Sequence, residues 1–432
     1  MPWLIASRTV QGLGGGMILS VTNIIIGDLV PLQERGFVSG VLGLSWALSA
    51  AFGPLIGGAL ADAGQWRWVF YLNLPISGLT VILVLLLLKL PTPPGTMKEK
   101  LAKMDWMGNV LIIASTASVV IALTWGGVFF AWSSARVLVP LILGLFGMGL
   151  FLLYEARVAK NPIVPFEVLS NRTSFSGYVQ TFFVPIIMIS VIYYMPTYYQ
   201  ACKGVSPRQS GIDSLGLTMA LGPASIITGV SVTKTGKYRI QAYLGWIILV
   251  AGAGALTTIR ENTIIAHSIG LPSLITIGAG MIYSVGYFPV LAPLPVSRNA
   301  HALAFFAFCR SFAGVWGITI GGTVLQNELG KRLPADFVNS LPQGSSVSIA
   351  YSAIPLIDGL EEPLRTQVRT AFAEGIRVIW FVMIGIAGAG LLSTLLMADV
   401  PMQAKMDQKW AVQEKKKGNV EQKMLKRKYH EA

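Results

Sequence analysis

Gly53-Pro54-Leu55-Ile56-Gly57-Gly58 places a proline and three glycines inside a stretch that is otherwise apolar from Phe37 to Ala61. A proline there removes one backbone donor and bends the turn before it, which lipid tolerates only where neighbouring groups repair the loss. Ser45, Ser49, Gly53, Gly57 and Ala61 recur every fourth residue. That spacing lays a strip of small side chains along one helix face, the pattern that lets helices approach closely in a membrane. The hexapeptide therefore predicts a bent, close-packed membrane helix.

The surrounding chain agrees. Of 432 residues 53% are hydrophobic and 12% charged, against roughly a quarter charged in soluble domains, and the mean hydropathy is +0.62. A hydrocarbon core takes roughly 20 apolar residues to cross, and eleven stretches are long enough: Leu4–Leu29, Phe37–Ala61, Val69–Leu90, Met107–Trp125, Ala135–Tyr154, Gly177–Tyr199, Gly211–Val232, Ala242–Ile259, Ile269–Leu294, Leu303–Leu325 and Ile376–Met397. An all-α integral membrane protein of eleven spans is expected. It divides into three spans over 1–90, a linker carrying two inserted spans over 91–173, six spans over 174–397, and a basic tail over 398–432.

A net charge of +13 raises nucleic acid as a partner, but the distribution of the charge explains it differently. Arg35, Lys89, Lys98, Lys100, Lys103, Arg157, Lys160, Arg172, Lys234, Lys237, Arg239 and Arg298 fall in one alternating set of short loops, while the opposite set holds Arg67, Arg136, Lys203, Arg208 and Arg260. Basic residues collect in cytoplasmic loops, so the richer set and the C-terminal tail are read as cytoplasmic, with no nucleic-acid partner. Cys202 and Cys309 are read as two free thiols. His267, His301 and His430 have no partner three or four residues away with which to build a metal site. No G-x-x-x-x-G-K-[ST] loop occurs either, so no enzymatic activity, metal or cofactor is expected.

Several motifs in order resemble the major facilitator superfamily, specifically its fourteen-helix drug:proton antiporter branch of the fungal type. Arg8-Thr9-Val10-Gln11-Gly12 resembles the R-x-x-Q-G motif of that family's helix four, and Gly27 to Gly36 the loop after it. Ser49, Gly53, Pro54, Gly57 and Gly58 are similar to the antiporter motif G-x-x-x-G-P-x-x-G-G of helix five, with Ser49 in place of the first glycine. Trp66 to Pro75 resembles the start of helix six, and Tyr193 to Gly211 the outer end of helix nine. Gly229-x-x-x-Thr233-Lys234-x-Gly236-Lys237 resembles a second copy of the family's G-x-x-x-D-R-x-G-R loop, as parallel repeats would give. Because the first span matches helix four, the resemblance implies that three preceding helices are missing, as in a truncated gene model or a fragment.

The resemblance implies efflux of small organic compounds such as drugs, toxins or secondary metabolites, driven by protons through alternating access, in a monomer of the plasma membrane or, alternatively, the vacuolar membrane. A siderophore or other metabolite exporter of the same fold, or a fragment that does not transport, are the other readings. Arg8, Gln11, Gly12 and Arg310 are the coupling candidates. A cation within a span faces a bundle interior or a water-filled path, although Arg8 could also snorkel to the near interface and Arg310 could bond backbone carbonyls. Asp28, Glu34, Arg35, Lys234, Gly236 and Lys237 are candidates for a cytoplasmic gate. Gln180 and Phe182 are the pocket candidates. Tyr193, Tyr194, Tyr198 and Tyr199 are expected in an interfacial aromatic belt, and Asp213 is expected to cap the helix it opens.

Overall fold

The computed structural model describes residues 2–30, 35–88, 95–164, 166–295, 298–340 and 349–401. Among them there is no strand, and eleven helical segments are long and apolar enough to cross a membrane. In chain order the helices are α1 (Pro2–Leu29), α2 (Arg35–Asp62), α3 (Trp68–Tyr71), α4 (Asn73–Leu87), α5 (Met97–Ala102), α6 (Trp106–Trp125) and α7 (Ala135–Arg157). Then come α8 (Phe166–Leu169), α9 (Arg172–Lys203), α10 (Pro207–Asp213), α11 (Leu215–Met219), α12 (Leu221–Thr235), α13 (Arg239–Leu256) and α14 (Ile265–Gly270). The last are α15 (Pro272–Val285), α16 (Phe288–Leu291), α17 (Asn299–Arg332), α18 (Ala335–Ser340), α19 (Ile349–Ala353) and α20 (Leu364–Thr394).

Each predicted span has its helix, but many run beyond the apolar stretch. α9 covers 32 residues and α17 covers 34. Hydropathy marks only the lipid-facing length, whereas a helix continues until its end groups find partners. Asn171 starts α9 by accepting the Thr173 N–H, and Gly204 ends it at φ 64°, a left-handed conformation that suits glycine. Beyond the last two apolar stretches, α17 likewise runs on to Arg332 and α20 starts already at Leu364.

α9, α12, α13, α15, α17 and α20 form the best-packed body. Gly245 and Gly278 let α13 and α15 meet backbone to backbone, since a Cβ on Gly278 would lie 2.6 Å from the Gly245 carbonyl oxygen. Ser225 and Ser284 tie α12 to α15, their hydroxyls 2.6 Å apart and the Ser284 hydroxyl donating to the Ser225 carbonyl at 2.7 Å. Trp246 is fully buried and donates its indole N–H to Gln180 Oε1 at 3.0 Å. Gln180 in turn donates to Ser176 Oγ at 2.9 Å and sits 3.0 Å from Met397 Sδ.

This arrangement corrects three expectations. Gln180 is part of the packed core rather than a pocket wall. Tyr194, Tyr198 and Tyr199 are buried between helices and donate to the carbonyls of Ile318, Arg260 and Ser268, so that of the four tyrosines Tyr193 alone remains exposed. A buried phenol needs such a partner, and backbone carbonyls of neighbouring helices supply it. Finally, Ser206 rather than Asp213 caps the seventh span, accepting from the Gln209 N–H, while Asp213 ends α10 and accepts from Gln209 Nε2 at 2.8 Å. The Gln180 network makes a prediction: Gln180→Leu strands the Trp246 N–H in a dry core and should destabilise the protein by about 1–3 kcal/mol. Thermal unfolding in detergent would measure it, and an unshifted midpoint would refute the structural role.

The hairpin of α6 and α7 rests against α17. Asn327 accepts from Trp132 Nε1 at 3.1 Å and donates to the Gly126 carbonyl at 3.1 Å, and Thr323 donates to the Leu123 carbonyl at 2.9 Å. α1 has no buried residue among those described, and α2 lies along α10, α11 and α12. The α2 contact uses a different strip from the one expected. A Cβ on Gly36 would come within 2.6 Å of the Gly229 carbonyl oxygen, one on Gly40 within 2.9 Å of Ile226 Cα, and one on Gly211 within 2.6 Å of the Pro54 carbonyl oxygen. Gly58 is equally tight against Pro207. By contrast a Cβ on Gly53 or Gly57 would meet nothing within 4 Å, and Ser45, Ser49 and Ala61 are exposed.

Candidate functional site

A cavity of about 530 Å³ opens between α1 and α2 on one side and α9, α12, α15 and α17 on the other. Gly12, Gly15 and Gly16 line its α1 wall beside Leu19, Thr22 and Asn23, and a Cβ on any of the three glycines would meet nothing within 4 Å, so the glycines keep their part of this wall low. Ser39, Leu42, Gly43 and Trp46 project from α2 at helical spacing, and Ala307, Arg310, Ser311 and Gly314 from α17.

The chemistry concentrates in one column. The Arg310 guanidinium lies 4.1 Å from the centre of the Tyr283 ring, and the Trp46 ring lies 5.7 Å from the same ring, centroid to centroid. The three side chains come from α17, α15 and α2, so the column spans the cleft. A cation over an aromatic face is attracted by the ring quadrupole, more strongly when both are desolvated. Among the described lining residues there is no Asp or Glu. The wall is therefore mainly apolar, with one fixed positive charge and the hydroxyls of Thr22, Ser39 and Ser311. Such a site can hold an amphiphilic organic molecule and orient it by one charged or acceptor group.

Of the residues singled out from sequence, Gly12 and Arg310 line the cavity. Arg8 and Gln11 do not; they bond each other at 2.9 Å, with Arg8 also 4.8 Å from the centre of the Phe70 ring. Phe182 also lies off the wall, against Phe183 and Phe312 at 5.8 and 6.1 Å. Pro54 and Gly58 serve the α2–α10 crossing, and Ser49 donates to its own helix at Ser45. Arg35 is buried and donates from Nε to the Val30 carbonyl at 2.7 Å. The neighbouring Gly36 touches Gly229 and Thr233, which brings the chain around Arg35 to the end of α12, where exposed Lys234 and Lys237 flank Gly236 at φ 66°. Glu34 and the Asp28 side chain lie outside the described residues. Sequence reasoning missed Trp46 and Tyr283. Large polar-tipped aromatics in mid-span were the available signal, because their N–H or O–H must find a partner away from water.

The model of the Major Facilitator Superfamily matches residues 1–318. The chain belongs to that superfamily. Fungal relatives align over nearly all of it. The MFS-type transporter ucsD of Acremonium sp is 37% identical over 96% of this chain and 71% of its own length. The MFS-type efflux pump LUC4 of Fusarium sp is 34% identical over 95% of this chain and 74% of its own. The MFS-type efflux pump MMF1 of Mycosarcoma maydis is 34% identical over 94% and 67%. This superfamily member is thus a multi-pass membrane transporter, and its cavity between two groups of helices is the candidate path for a substrate.

Proposed function

We propose that this transporter exports small organic compounds such as drugs, toxins or secondary metabolites, in exchange for protons, by alternating access of the cavity to the two membrane faces. The observation that carries the reading is the Trp46–Tyr283–Arg310 column, in which one charge stands in a mainly apolar cleft shared by separate helix groups. Relatives named as efflux pumps support the direction of transport. The antiporter-type motif from Ser49 to Gly58 supports proton exchange. The asymmetry of basic loops supports a cytoplasmic C-terminus, and we assign the protein to the plasma membrane as a monomer.

Proteoliposomes holding the full chain, loaded with a panel of fluorescent amphiphilic dyes, test the reading. An imposed pH gradient should drive dye movement against the proton flow, and a protonophore should abolish it. Dye movement that ignores the gradient would refute antiport, and no movement of any dye would refute organic-compound transport.

A further inference from the structure

Away from the cavity, at the end of the α6–α7 hairpin, two carboxyl groups meet. Asp105 precedes α6, and its Oδ1 accepts from the Gly108 N–H at 3.0 Å and from the Tyr154 hydroxyl at 3.1 Å. Glu155, near the end of α7, is 2% exposed, and its Oε2 accepts from the Val164 N–H at 3.0 Å. Each carboxyl thus has one oxygen engaged. The other two, Asp105 Oδ2 and Glu155 Oε1, are buried and have no hydrogen-bond partner. Both press on the same point, since a Cβ built on Gly108 would fall on each of them.

Two buried acceptors facing each other repel if both groups are ionised, and both are satisfied if a single proton lies between them. We propose that Asp105 and Glu155 form a proton-binding site that holds one shared proton and thereby latches the α6–α7 hairpin to the connecting segment at Val164. The proton sits on Glu155 Oε1 and is donated to Asp105 Oδ2. Tyr154 is the further titratable group facing the pair, and among the described residues no Lys, Arg or His forms an ion pair with either carboxyl. Burial by itself would raise the Asp105 carboxyl, but the Gly108 N–H, Glu155 and the Tyr154 hydroxyl together hold it below its ordinary value, in keeping with Asp105 as the ionised partner. No step of the transport reading uses this pair, so the two stand or fall separately.

The sign of the pH effect follows from linkage. The latched form holds a proton that the opened form releases, so the latch is complete at acidic pH and weakens as pH rises, by up to about tenfold in the opening equilibrium per pH unit. Hydrogen–deuterium exchange on the full chain in nanodiscs, corrected for intrinsic rates, reads this at the Val164 amide. The wild type should lose protection with rising pH by up to about tenfold per unit. Glu155→Gln, whose amide N–H can replace the shared proton toward Asp105, should stay protected at every pH. Gly108→Ala, which drives a methyl between the oxygens, should remove protection throughout. A wild-type amide whose protection ignores pH, a Glu155→Gln variant that keeps the wild-type slope, or protection restored at high pH by added sodium or calcium ions would each overturn the proposal.

Discussion

Arg310→Gln is expected to lower the apparent affinity for transported compounds by roughly 10- to 100-fold, while the protein still folds. The estimate comes from the loss of charge-assisted hydrogen bonds, about 1.5–3 kcal/mol in a dry site. The side chain forms no ion pair with a carboxylate among the described residues and rests on Tyr283, so its charge is free to meet a ligand. Arg310→Lys should fall between the two, because it keeps the charge but loses the planar group that stacks on the ring. Trp46→Ala, which removes the α2 end of the column, should weaken binding of aromatic compounds in particular. Concentration dependence of dye transport in proteoliposomes, with unfolding midpoints as the folding control, measures all three. An unchanged concentration dependence in Arg310→Gln would remove this residue from the site.

The second large effect concerns assembly. Gly229→Leu should destabilise the protein by about 3 kcal/mol, as overpacking at a contact that cannot yield. Gly36 and Gly229 present backbone to backbone where α2 crosses α12, and Gly40 repeats the contact one turn on. The close contacts of Gly58 with Pro207 and of Gly211 with Pro54 hold α2 against α10 further along, so α2 has little room to shift away from α12. Gly53→Ala, in the centre of the antiporter-type motif, supplies the contrast. A Cβ there meets nothing within 4 Å, so its effect on stability should stay within about 0.5 kcal/mol or be slightly stabilising. Unfolding in graded detergent mixtures distinguishes the two positions. Equal losses at Gly53 and Gly229 would mean that the strip predicted from sequence, not the observed one, governs packing.

That contrast marks how far the sequence could be read. Hydropathy and loop charge sufficed for eleven spans because lipid imposes a length and an internal hydrogen-bond requirement on every crossing segment. The motifs around Arg8, Gly53 and Gly229 sufficed for the family. Helix ends were less legible, since α9 and α17 extend past the apolar stretch, α9 to caps at Asn171 and Gly204 that hydropathy does not weigh. The interior tyrosines were misread as a belt because Tyr194, Tyr198 and Tyr199 have the composition of an interface, while only neighbouring helices reveal that their hydroxyls reach backbone carbonyls.

By itself the sequence determined a helical membrane transporter, because span length, small-residue spacing and ordered motifs are local properties of the chain. Only the tertiary structure decided which face of α2 is packed, that Gln180 belongs to the core, and that Arg310, Tyr283 and Trp46 stand in one column. Only it, too, brought Asp105 against Glu155 across 50 residues of chain. Those outcomes depend on how helices rotate about their axes and which neighbours they meet, and a helical repeat alone does not specify either.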